Sequence, residues 1–453
     1  MEAATKESRP LFTNQQLWAL IVPLLIEQLL AVAVGMADTM MVSQAGEAAV
    51  SGVSLVDMIN NLIIYLFSAL ATGGAVVTSQ FIGARRIREA GDSAGQLVLL
   101  SLLSGLGILA FCLLCGRPVM RLFFGSITED VMEAGLLYLR ITAVSYPFLA
   151  LYNAGAALFR SVGNSGISMR VSIVMNLINI VGNAIGVLVL HLGVAGVALP
   201  TLISRAVAAF LILQAAEHGA GPVQLHLHGL RLRGHMVRRI LEIGVPSAVE
   251  NGLFQLGRLL VVSIIATFGT AQIAANAVAN NLDGMAILGG QALGLATITV
   301  VGQCVGAGDY AQARRYNRKL MLISWLLIAA SAAVILTSLP LLLNLYNISD
   351  EARVLSAQLV RLHNIPAIAL WCLSFTLPNT LRAAGDARFT MVVSIVSMAV
   401  FRIGFSVVLG IWMGMGAIGV WIAMDIDWVC RVICFVARYF SGAWTRKYQN
   451  YQA

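Results

Sequence analysis

Two carboxylic acids, Glu27 and Asp38, lie within one long apolar stretch of the sequence, Leu17–Met41. A helix over this stretch would be about 37 Å long, which exceeds the apolar core of a bilayer, about 30 Å thick. The acids are eleven residues apart, close to a whole number of helical turns, so both point to the same face. Acids inside a membrane face protein or water and often mark ion pathways or proton relays. We therefore expect this face to couple an ion or a proton to the function of the protein.

Three asparagines, Asn176, Asn179 and Asn183, form a polar stripe that would complete an ion site with Asp38. Residues three and four apart share one helix face, so their amides can act together. The site would hold a sodium ion or a proton. Two alternatives remain open: the asparagines could serve as hydrogen-bonded packing between helices, and Asp38 could be an inert acid near the end of its helix.

A third acid, Glu250, follows a proline by four residues in another apolar stretch, as Glu27 does in the first. We predict that Glu27 and Glu250 take part in coupling together with Asp38, because a carboxyl group can be neutral when buried and ionise when water reaches it. The alternative for Glu250 is a structural ion pair with Arg258, which lies two turns along the same helix.

Two further pairs combine one aspartate with one asparagine three residues apart, and each pair shares a helix face. Asp57 and Asn60 form one pair, and Asn280 and Asp283 form the other with the two residue types exchanged. We expect both pairs, together with Arg258, to line a central cleft and contact a cationic substrate. Hydrogen bonding between neighbouring helices is the alternative.

The composition requires a membrane protein. Of the 453 residues, 59 % are hydrophobic and only 11 % are charged, whereas a soluble protein carries roughly a quarter charged residues. Segments of about twenty apolar residues predict an all-α integral membrane protein with twelve transmembrane helices. The predicted spans are Leu17–Met41, Val50–Thr78, Ala94–Cys115, Ala134–Leu158, Met169–Leu190, Gly193–Gln214, Val237–Phe268, Ala274–Cys304, Leu320–Leu343, Ala357–Leu381, Thr390–Trp412 and Ala417–Ala437.

The net charge is +8. The basic residues that produce it lie between the spans rather than in one patch, which argues against a nucleic-acid partner. Arginines concentrate in the even-numbered loops, for example at Arg85, Arg86 and Arg88 and again at Arg314 and Arg315. Loops rich in Lys and Arg stay in the cytoplasm. We therefore expect a multi-pass protein of the cell membrane with both termini in the cytoplasm.

The chain also repeats itself at an offset of 222 or 223 residues across helices, turns and loops. Six helices separate equivalent positions, so the two copies enter the membrane in the same direction. We predict an amino-terminal six-helix lobe over residues 1–214, a cytoplasmic linker over 215–234 and a carboxy-terminal lobe over 235–453. The matching pairs include Pro23 and Pro246, Glu27 and Glu250, Gln80 and Gln303, Gly83 and Gly306, and Arg160 and Arg382.

Two lobes related by an axis along the membrane normal are typical of transporters, in which rocking of the lobes exposes a central site to alternate sides. The sequence has no phosphate-binding loop for ATP, which argues against a primary pump, and no zinc or nucleophile motif of a membrane enzyme.

Several segments resemble the multidrug and toxic compound extrusion (MATE) family. They are GMADTMMVSQAG at Gly35–Gly46, SQFIGA at Ser79–Ala84, the long stretch Gly244–Ala279, VGQCVGAGD at Val301–Asp309 and LRAAGD at Leu381–Asp386. The resemblance implies two V-shaped lobes and export of amphipathic, usually cationic compounds in exchange for protons or sodium ions. It also implies coupling roles for Asp38 and Glu250, which match acidic positions of the family.

The chain departs from the family pattern at Asn183, where many members carry a second carboxylate as partner of the Asp38 position. The sequence thus predicts a monomeric antiporter for small-molecule drugs or cationic metabolites, embedded in the lipid bilayer, with a coupling ion and no other cofactor. A flippase of a lipid-linked saccharide is the main alternative. It would need a strongly cationic cavity, whereas the polar groups inside the spans look mostly like acids and amides. An integral-membrane enzyme is a weaker alternative.

Overall fold

The computed structural model describes residues 10–42, 47–125, 128–218, 231–346 and 348–449, and within them the regular secondary structure is helical. Most of the predicted linker, residues 219–230, lies outside the described residues. The helices are α1 Asn14–Val42, α2 Glu47–Gly83, α3 Ile87–Phe124, α4 Glu129–Val144, α5 Tyr146–Ser161, α6 Ser165–Ala184, α7 Ala195–Glu217, α8 Gly234–Ala266, α9 Thr270–Ala286, α10 Leu288–Gly306, α11 Tyr310–Asn344, α12 Asp350–Trp371, α13 Leu377–Ala383, α14 Ala387–Ser397, α15 Gly416–Phe440 and α16 Ala443–Gln449.

Four π-helical segments extend or join these helices. They are Ile185–Val189, Cys372–Thr376, Met398–Gly404 and Ser406–Trp412. Such segments are rare in proteins as a whole, and those that occur often lie at functional sites. The internal repeat changes its offset from 222 to 223 residues between Met391 and Gly416, a stretch that holds Met398–Gly404 and Ser406–Trp412.

Ten helical units of the described chain are long and apolar enough to cross a membrane, and eleven when α4 and α5 count as one bent span. Helix α15, with 25 residues, corresponds to the predicted twelfth span. It carries Asp425, Asp427 and Arg431 near its middle. The predicted twelve-helix membrane fold therefore agrees with the helices that the structure contains.

Two predicted spans are broken rather than continuous. The span predicted over Ala134–Leu158 consists of α4 and α5, bent by 46°, with Pro147 in the first turn of α5. Proline lacks an N–H group and so favours a helix start over a helix interior. The span predicted over Ala274–Cys304 divides into α9 and α10 at Ile287.

The apolar core forms four main clusters of buried side chains. One lies within the amino-terminal half, between Ala49 and Ala198, and another within the carboxy-terminal half, between Ala275 and Met424. The other two contain residues of both halves and join α1 to α10 and α11, and α2 to α8. The halves therefore pack together through α1, α2, α8 and α10. The exact lobe boundaries at 214 and 235 stay a prediction.

Two glycines at equivalent positions of the repeat bring α2 and α10 into close contact near their carboxyl ends. A Cβ atom on Gly83 would lie 1.9 Å from the carbonyl oxygen of Gln303, and one on Gly306 would lie 1.9 Å from that of Gln80. Only glycine permits this approach. We call this symmetric crossing, formed by Gln80, Gly83, Gln303 and Gly306, the glycine clasp.

The glutamine side chains of the glycine clasp also cross between the halves. Gln80 Nε2 donates to the carbonyl oxygen of Ala383 at 2.8 Å, and Gln303 Nε2 donates to that of Ser161 at 2.7 Å. The loops that follow the clasp are the arginine-rich ones. The molecule is therefore closed at its basic end.

Candidate functional site: a buried acid site and a cavity

Asp38 is held by α6 across the amino-terminal half. Its Oδ1 accepts a hydrogen bond from Asn183 Nδ2 at 2.8 Å. The same amide nitrogen also lies 3.3 Å from Asn179 Oδ1, and Asn179 Nδ2 donates to Thr201 Oγ1 at 3.0 Å. We call Asp38, Asn179, Asn183 and Thr201 the Asp38 site. It contains one carboxylate and two amides, as the sequence indicated.

Asn183 has an unusual feature: its side chain is completely buried, and among the described residues its Oδ1 has no hydrogen-bond donor. An unpaired buried acceptor is costly. Beside a half-buried carboxylate, it adds a second oxygen suited to a cation or a proton. Asn176 does not join this group, because its amide bonds to Ser172 Oγ at 3.3 Å instead.

Asp57 and Asn60 form a polar cluster of their own in the amino-terminal half. Asp57 Oδ1 accepts from Asn60 Nδ2 at 3.1 Å and from the hydroxyl of Tyr138 at 3.2 Å. Asn60 Oδ1 accepts from the hydroxyl of Tyr146 at 2.6 Å. Arg205 interacts electrostatically with both Asp38 and Asp57. These hydrogen bonds lie within the amino-terminal half, close to the Asp38 site, and the predicted contact of Asp57 and Asn60 with a substrate stays a prediction.

Glu27 lies apart from the Asp38 site although both acids belong to α1. Its Oε1 accepts a hydrogen bond from Ser168 Oγ at 2.6 Å, and its Oε2 lies 3.9 Å from Arg160 Nη1. Eleven residues of helix separate the two acids by about 16 Å along the axis, so they contact different parts of α6 and its neighbours.

Glu250 repeats this arrangement in the carboxy-terminal half. Its Oε1 accepts from Arg382 Nη2 at 2.7 Å and from Ser394 Oγ at 2.6 Å, and Thr390 Oγ1 lies 3.4 Å from Oε2. The ion-pair partner of Glu250 is thus Arg382 and not Arg258. Arg258 lies eight residues after Glu250 on the same helix. Side chains of one helix meet at spacings of three and four residues, so these two do not contact each other directly.

A cavity of about 800 Å³ lies on the carboxy-terminal side of the contact between the halves. Such a volume is typical of pockets for drug-sized molecules. Asn280, Asp283, Arg258 and Glu250 line it, as expected for the first three. The amino-terminal half contributes only a few side chains from α1 and α2. Aromatic rings line much of the remaining wall, and they are Tyr65, Phe254, Trp371, Phe375, Trp421 and Trp428.

His363, on α12, is a residue of this cavity that the sequence analysis missed. It is completely buried, with Nδ1 2.6 Å from Asp425 Oδ1 and Nε2 3.8 Å from Asp283 Oδ1. Its ring packs against Trp421 and Trp428. A lone histidine in the tenth predicted span was the signal in the sequence. It joins an acid of α9 to an acid of α15.

Arginines are the second group that the sequence analysis undervalued. Four of them line the cavity beside a larger number of acids and amides, so the polar lining is mixed in charge. Charged residues scattered over four segments show no motif along the chain, and only the fold brings them together. The four are Arg258, Arg382, Arg402 and Arg431.

Comparisons with known proteins identify the fold and the family. The uncharacterized transporter YisQ of Bacillus subtilis is 29 % identical over 456 residues, covering 98 % of both chains. The probable multidrug resistance protein NorM of Thermotoga maritima is 23 % identical over 96 % of this chain and 94 % of its own. A solved structure described as the outward-facing conformation of a multidrug resistance MATE family transporter superimposes with a TM-score of 0.89 at 21 % identity, over 95 % of this chain and 96 % of that one.

The MatE family model matches the chain twice, over residues 23–185 and 246–408. The two matches begin at Pro23 and Pro246, the equivalent prolines of the repeat. They contain the Asp38 site except Thr201, both glutamate–arginine pairs and most of the cavity wall. Together they cover more than half of the sequence, so the chain belongs to the MatE family of multi-pass membrane transporters.

Proposed function

We propose that the chain is a secondary active antiporter that exports amphipathic compounds in exchange for sodium ions or protons. The observation that carries the proposal is the Asp38 site. A carboxylate lies inside a membrane span, and next to it the buried Oδ1 of Asn183 has no donor among the described residues. Two such oxygens suit a bound cation, or a proton on the carboxyl group.

The energy available from one cation is sufficient for export. Each elementary charge that crosses a membrane potential of 100 mV contributes about 2.3 kcal/mol, and each pH unit contributes about 1.4 kcal/mol per proton. One inward cation therefore supports roughly tenfold or greater accumulation of a compound without net charge, whereas one-for-one exchange with a singly charged cation moves no net charge and is driven by the ion gradient alone.

The cavity is the site that we propose for the exported compound. Its volume of about 800 Å³ and its aromatic walls suit an amphipathic molecule of drug size. Asp283 offers a carboxylate whose Oδ1 has no hydrogen-bond partner among the described residues, which favours a compound with a cationic group. Binding of the coupling ion in the amino-terminal half would favour release from the cavity.

The glycine clasp supports alternating access in this proposal. Because α2 and α10 touch at their basic ends, the structure represents a form closed at that end. We propose that this end faces the cytoplasm of a cell membrane, in keeping with its arginine-rich loops. Separation of the clasp would open the cavity to the cytoplasm.

Transport of a lipid-linked saccharide is the second candidate, and the four arginines of the cavity are the observation that favours it. Two of these arginines are already neutralised, Arg382 by Glu250 and Arg431 by Asp427. The cavity volume also suits a drug-sized molecule better than a polyprenyl-linked saccharide. Export of small amphipathic compounds is therefore the better supported function.

The test is efflux of an amphipathic dye from proteoliposomes in which sodium and pH gradients are imposed separately. The proposal expects one of the two gradients to drive efflux against a dye gradient. Efflux that follows neither gradient would contradict it. Scrambling of a fluorescent lipid-linked saccharide by the same vesicles, without dye efflux, would favour the second candidate.

A further inference from the structure

Two of the four cavity arginines have well-formed partners. Arg382 Nη2 lies 2.7 Å from Glu250 Oε1 and its Nη1 donates to Asn379 at 2.6 Å. Arg431 Nε lies 3.2 Å from Asp427 Oδ1, and its Nη2 donates to the carbonyl oxygen of Ser394 at 3.3 Å. Neither charge is therefore available in full to a ligand.

Arg402 is different, because its guanidinium is buried without adequate partners. Its side chain is only 6 % exposed, and the nearest carboxylate oxygen, Asp427 Oδ2, is 4.0 Å away. The other oxygen of Asp427 already serves Arg431 and Ser397. Among the described residues, Nε and Nη1 of Arg402 have no hydrogen-bond acceptor. Asp427 Oδ2 is thus the nearest anion to Arg402, at a long distance, and the guanidinium keeps donors that a second carboxylate can use.

The position of Arg402 in the chain explains how it reaches the cavity. It lies in the π-helical segment Met398–Gly404. Its guanidinium lies over the ring of Phe254, 5.1 Å from the ring centre. Phe254 also lies beside Arg431 and packs edge-on against Phe375. The cation is thus held against an aromatic wall of the cavity.

Arg258 completes a cationic side of the cavity. Its side chain is exposed to the cavity, and within the described chain it forms neither a hydrogen bond nor an ion pair. It interacts electrostatically with Arg402 and with Asp283. Two like charges that repel each other are stabilised by an anion that both can bind, and a planar guanidinium is well suited to a carboxylate.

We propose that the cavity binds an amphipathic compound through a carboxylate group, which Arg258 and Arg402 hold while the aromatic part of the compound packs on Phe254 and Phe375. A cationic group on the same molecule would face Asp283. The compound is therefore a zwitterion or an anion rather than a simple organic cation. This inference rests on the proposed function, in that the cavity is taken as the site of the exported compound.

The test compares the binding of two dyes that differ only at the carboxylate, rhodamine B and its ethyl ester. The purified full-length protein is placed in nanodiscs of phosphatidylcholine, and binding is measured by fluorescence anisotropy without any gradient. We expect the acid to bind about tenfold more tightly than the ester. Arg258→Gln should remove this preference by weakening the acid alone, and Arg402→Gln should act in the same way.

The matched control is Arg117→Gln, which removes an exposed arginine whose partner is the exposed Glu129 on the surface. It should leave both affinities unchanged. Arg402 is buried, and its substitution could impair folding, so the melting temperature of each variant is measured. Arg258→Gln decides the matter if Arg402→Gln does not fold, because the Arg258 side chain has no bonding partner to lose.

Equal binding of acid and ester by the unaltered protein would overturn the proposal, as would a parallel loss of both dyes in Arg258→Gln. A further arm adds phosphatidylglycerol to the nanodiscs. If the anionic lipid displaces the acid from the unaltered protein, the site belongs to a lipid headgroup and the proposal fails. Because these measurements use no gradient, they remain valid whether or not efflux proves to be driven by an ion.

Discussion

The two halves of the molecule share one acid site and differ completely at another. Equivalent positions hold two glutamate–arginine pairs, Glu27 with Arg160 and Glu250 with Arg382. Each glutamate also accepts a hydrogen bond from a serine hydroxyl. The Asp38 site has no such counterpart. At an offset of 223 residues, Val261 stands where Asp38 does.

The region around Val261 is apolar instead of polar. Val261 packs in a small buried cluster with Ile265 and Val420, and Ile403 lies against it. Ser406, which stands opposite Asn183, bonds to the carbonyl oxygen of Arg402 at 2.5 Å within its own helix. The carboxy-terminal half therefore lacks the oxygens of the Asp38 site and contributes the arginine-lined cavity instead. The comparison teaches that the duplicated halves keep common structural pairs but differ in their polar chemistry, which agrees with the proposed division into an ion site in one half and a cargo site in the other.

Replacing the acid that only the amino-terminal half possesses gives the largest expected effect. Asp38→Asn keeps the shape and the hydrogen bond to Asn183 but removes the charge. We expect gradient-driven efflux from proteoliposomes to fall to background, while equilibrium binding of dye in the cavity changes by less than about threefold. Loss of binding together with transport would contradict the division between the halves.

The control for Asp38→Asn is Glu89→Gln, which alters an acid of α3 that pairs with the exposed Arg86 at the surface. Exposed ion pairs of this kind contribute at most about 1 kcal/mol. Its efflux should match that of the unaltered protein. Normal efflux in Asp38→Asn would exclude Asp38 as the coupling group.

Separating the halves at the glycine clasp is the second test, since both halves contribute to it equally. Gly83→Ala places a Cβ atom against the carbonyl oxygen of Gln303 and must move α2 away from α10. Overpacking of this kind costs about 1–3 kcal/mol, so the closed form should lose roughly tenfold in population. Spin labels at the exposed Arg88 and Arg315 positions should report a longer distance.

Gly107→Ala on α3 is the control for the clasp, because a Cβ atom there has no neighbour within 4 Å. Its distance distribution should not change. Gly306→Ala, the equivalent substitution in the other half, should act like Gly83→Ala. If only one of the two lengthens the distance, the clasp is not a symmetric element.

The shared glutamate–arginine pairs provide the third test. Glu250→Gln leaves the partly buried Arg382 without its charge partner, and breaking a buried pair costs about 3–5 kcal/mol. Glu27→Gln should cost less, because Arg160 Nη1 lies 3.9 Å from its acid and not 2.7 Å. The melting temperature in detergent measures both effects. Equal losses would show that the two pairs are equivalent in strength as well as in position.

Much of the fold follows from the sequence because membrane spans depend on the length and apolar character of single segments. The twelve spans and the internal repeat need no knowledge of distant contacts. The Asp38 site was also accessible, since Asp38 and Asn183 are polar residues in otherwise apolar helices. The helix breaks were harder to predict from the sequence, because the break at Ile287 depends on packing between α9, α10 and their neighbours.

The cavity could not be predicted in the same way. Arg382 follows the tenth predicted span and reads as a loop charge, yet the fold turns it inward to Glu250. Arg402 and Arg431 belong to different helices and share the carboxylate of Asp427 and the ring of Phe254. Their shared carboxylate decides which guanidinium stays free, and no spacing along the chain contains that information.

The smallest effect distinguishes two asparagines of α6 that the sequence treats alike. Asn183 donates to Asp38 at 2.8 Å, whereas Asn176 donates to Ser172 at 3.3 Å. Asn183→Ala removes a hydrogen bond to a charged group, worth about 1.5 kcal/mol or more, and should raise the concentration of cation needed for half-maximal efflux about tenfold. Asn176→Ala, the matched control on the same helix, should change it less than twofold. Equal effects of the two variants would mean that the whole stripe binds the ion, and the Asp38 site would then extend along α6 toward Ser172.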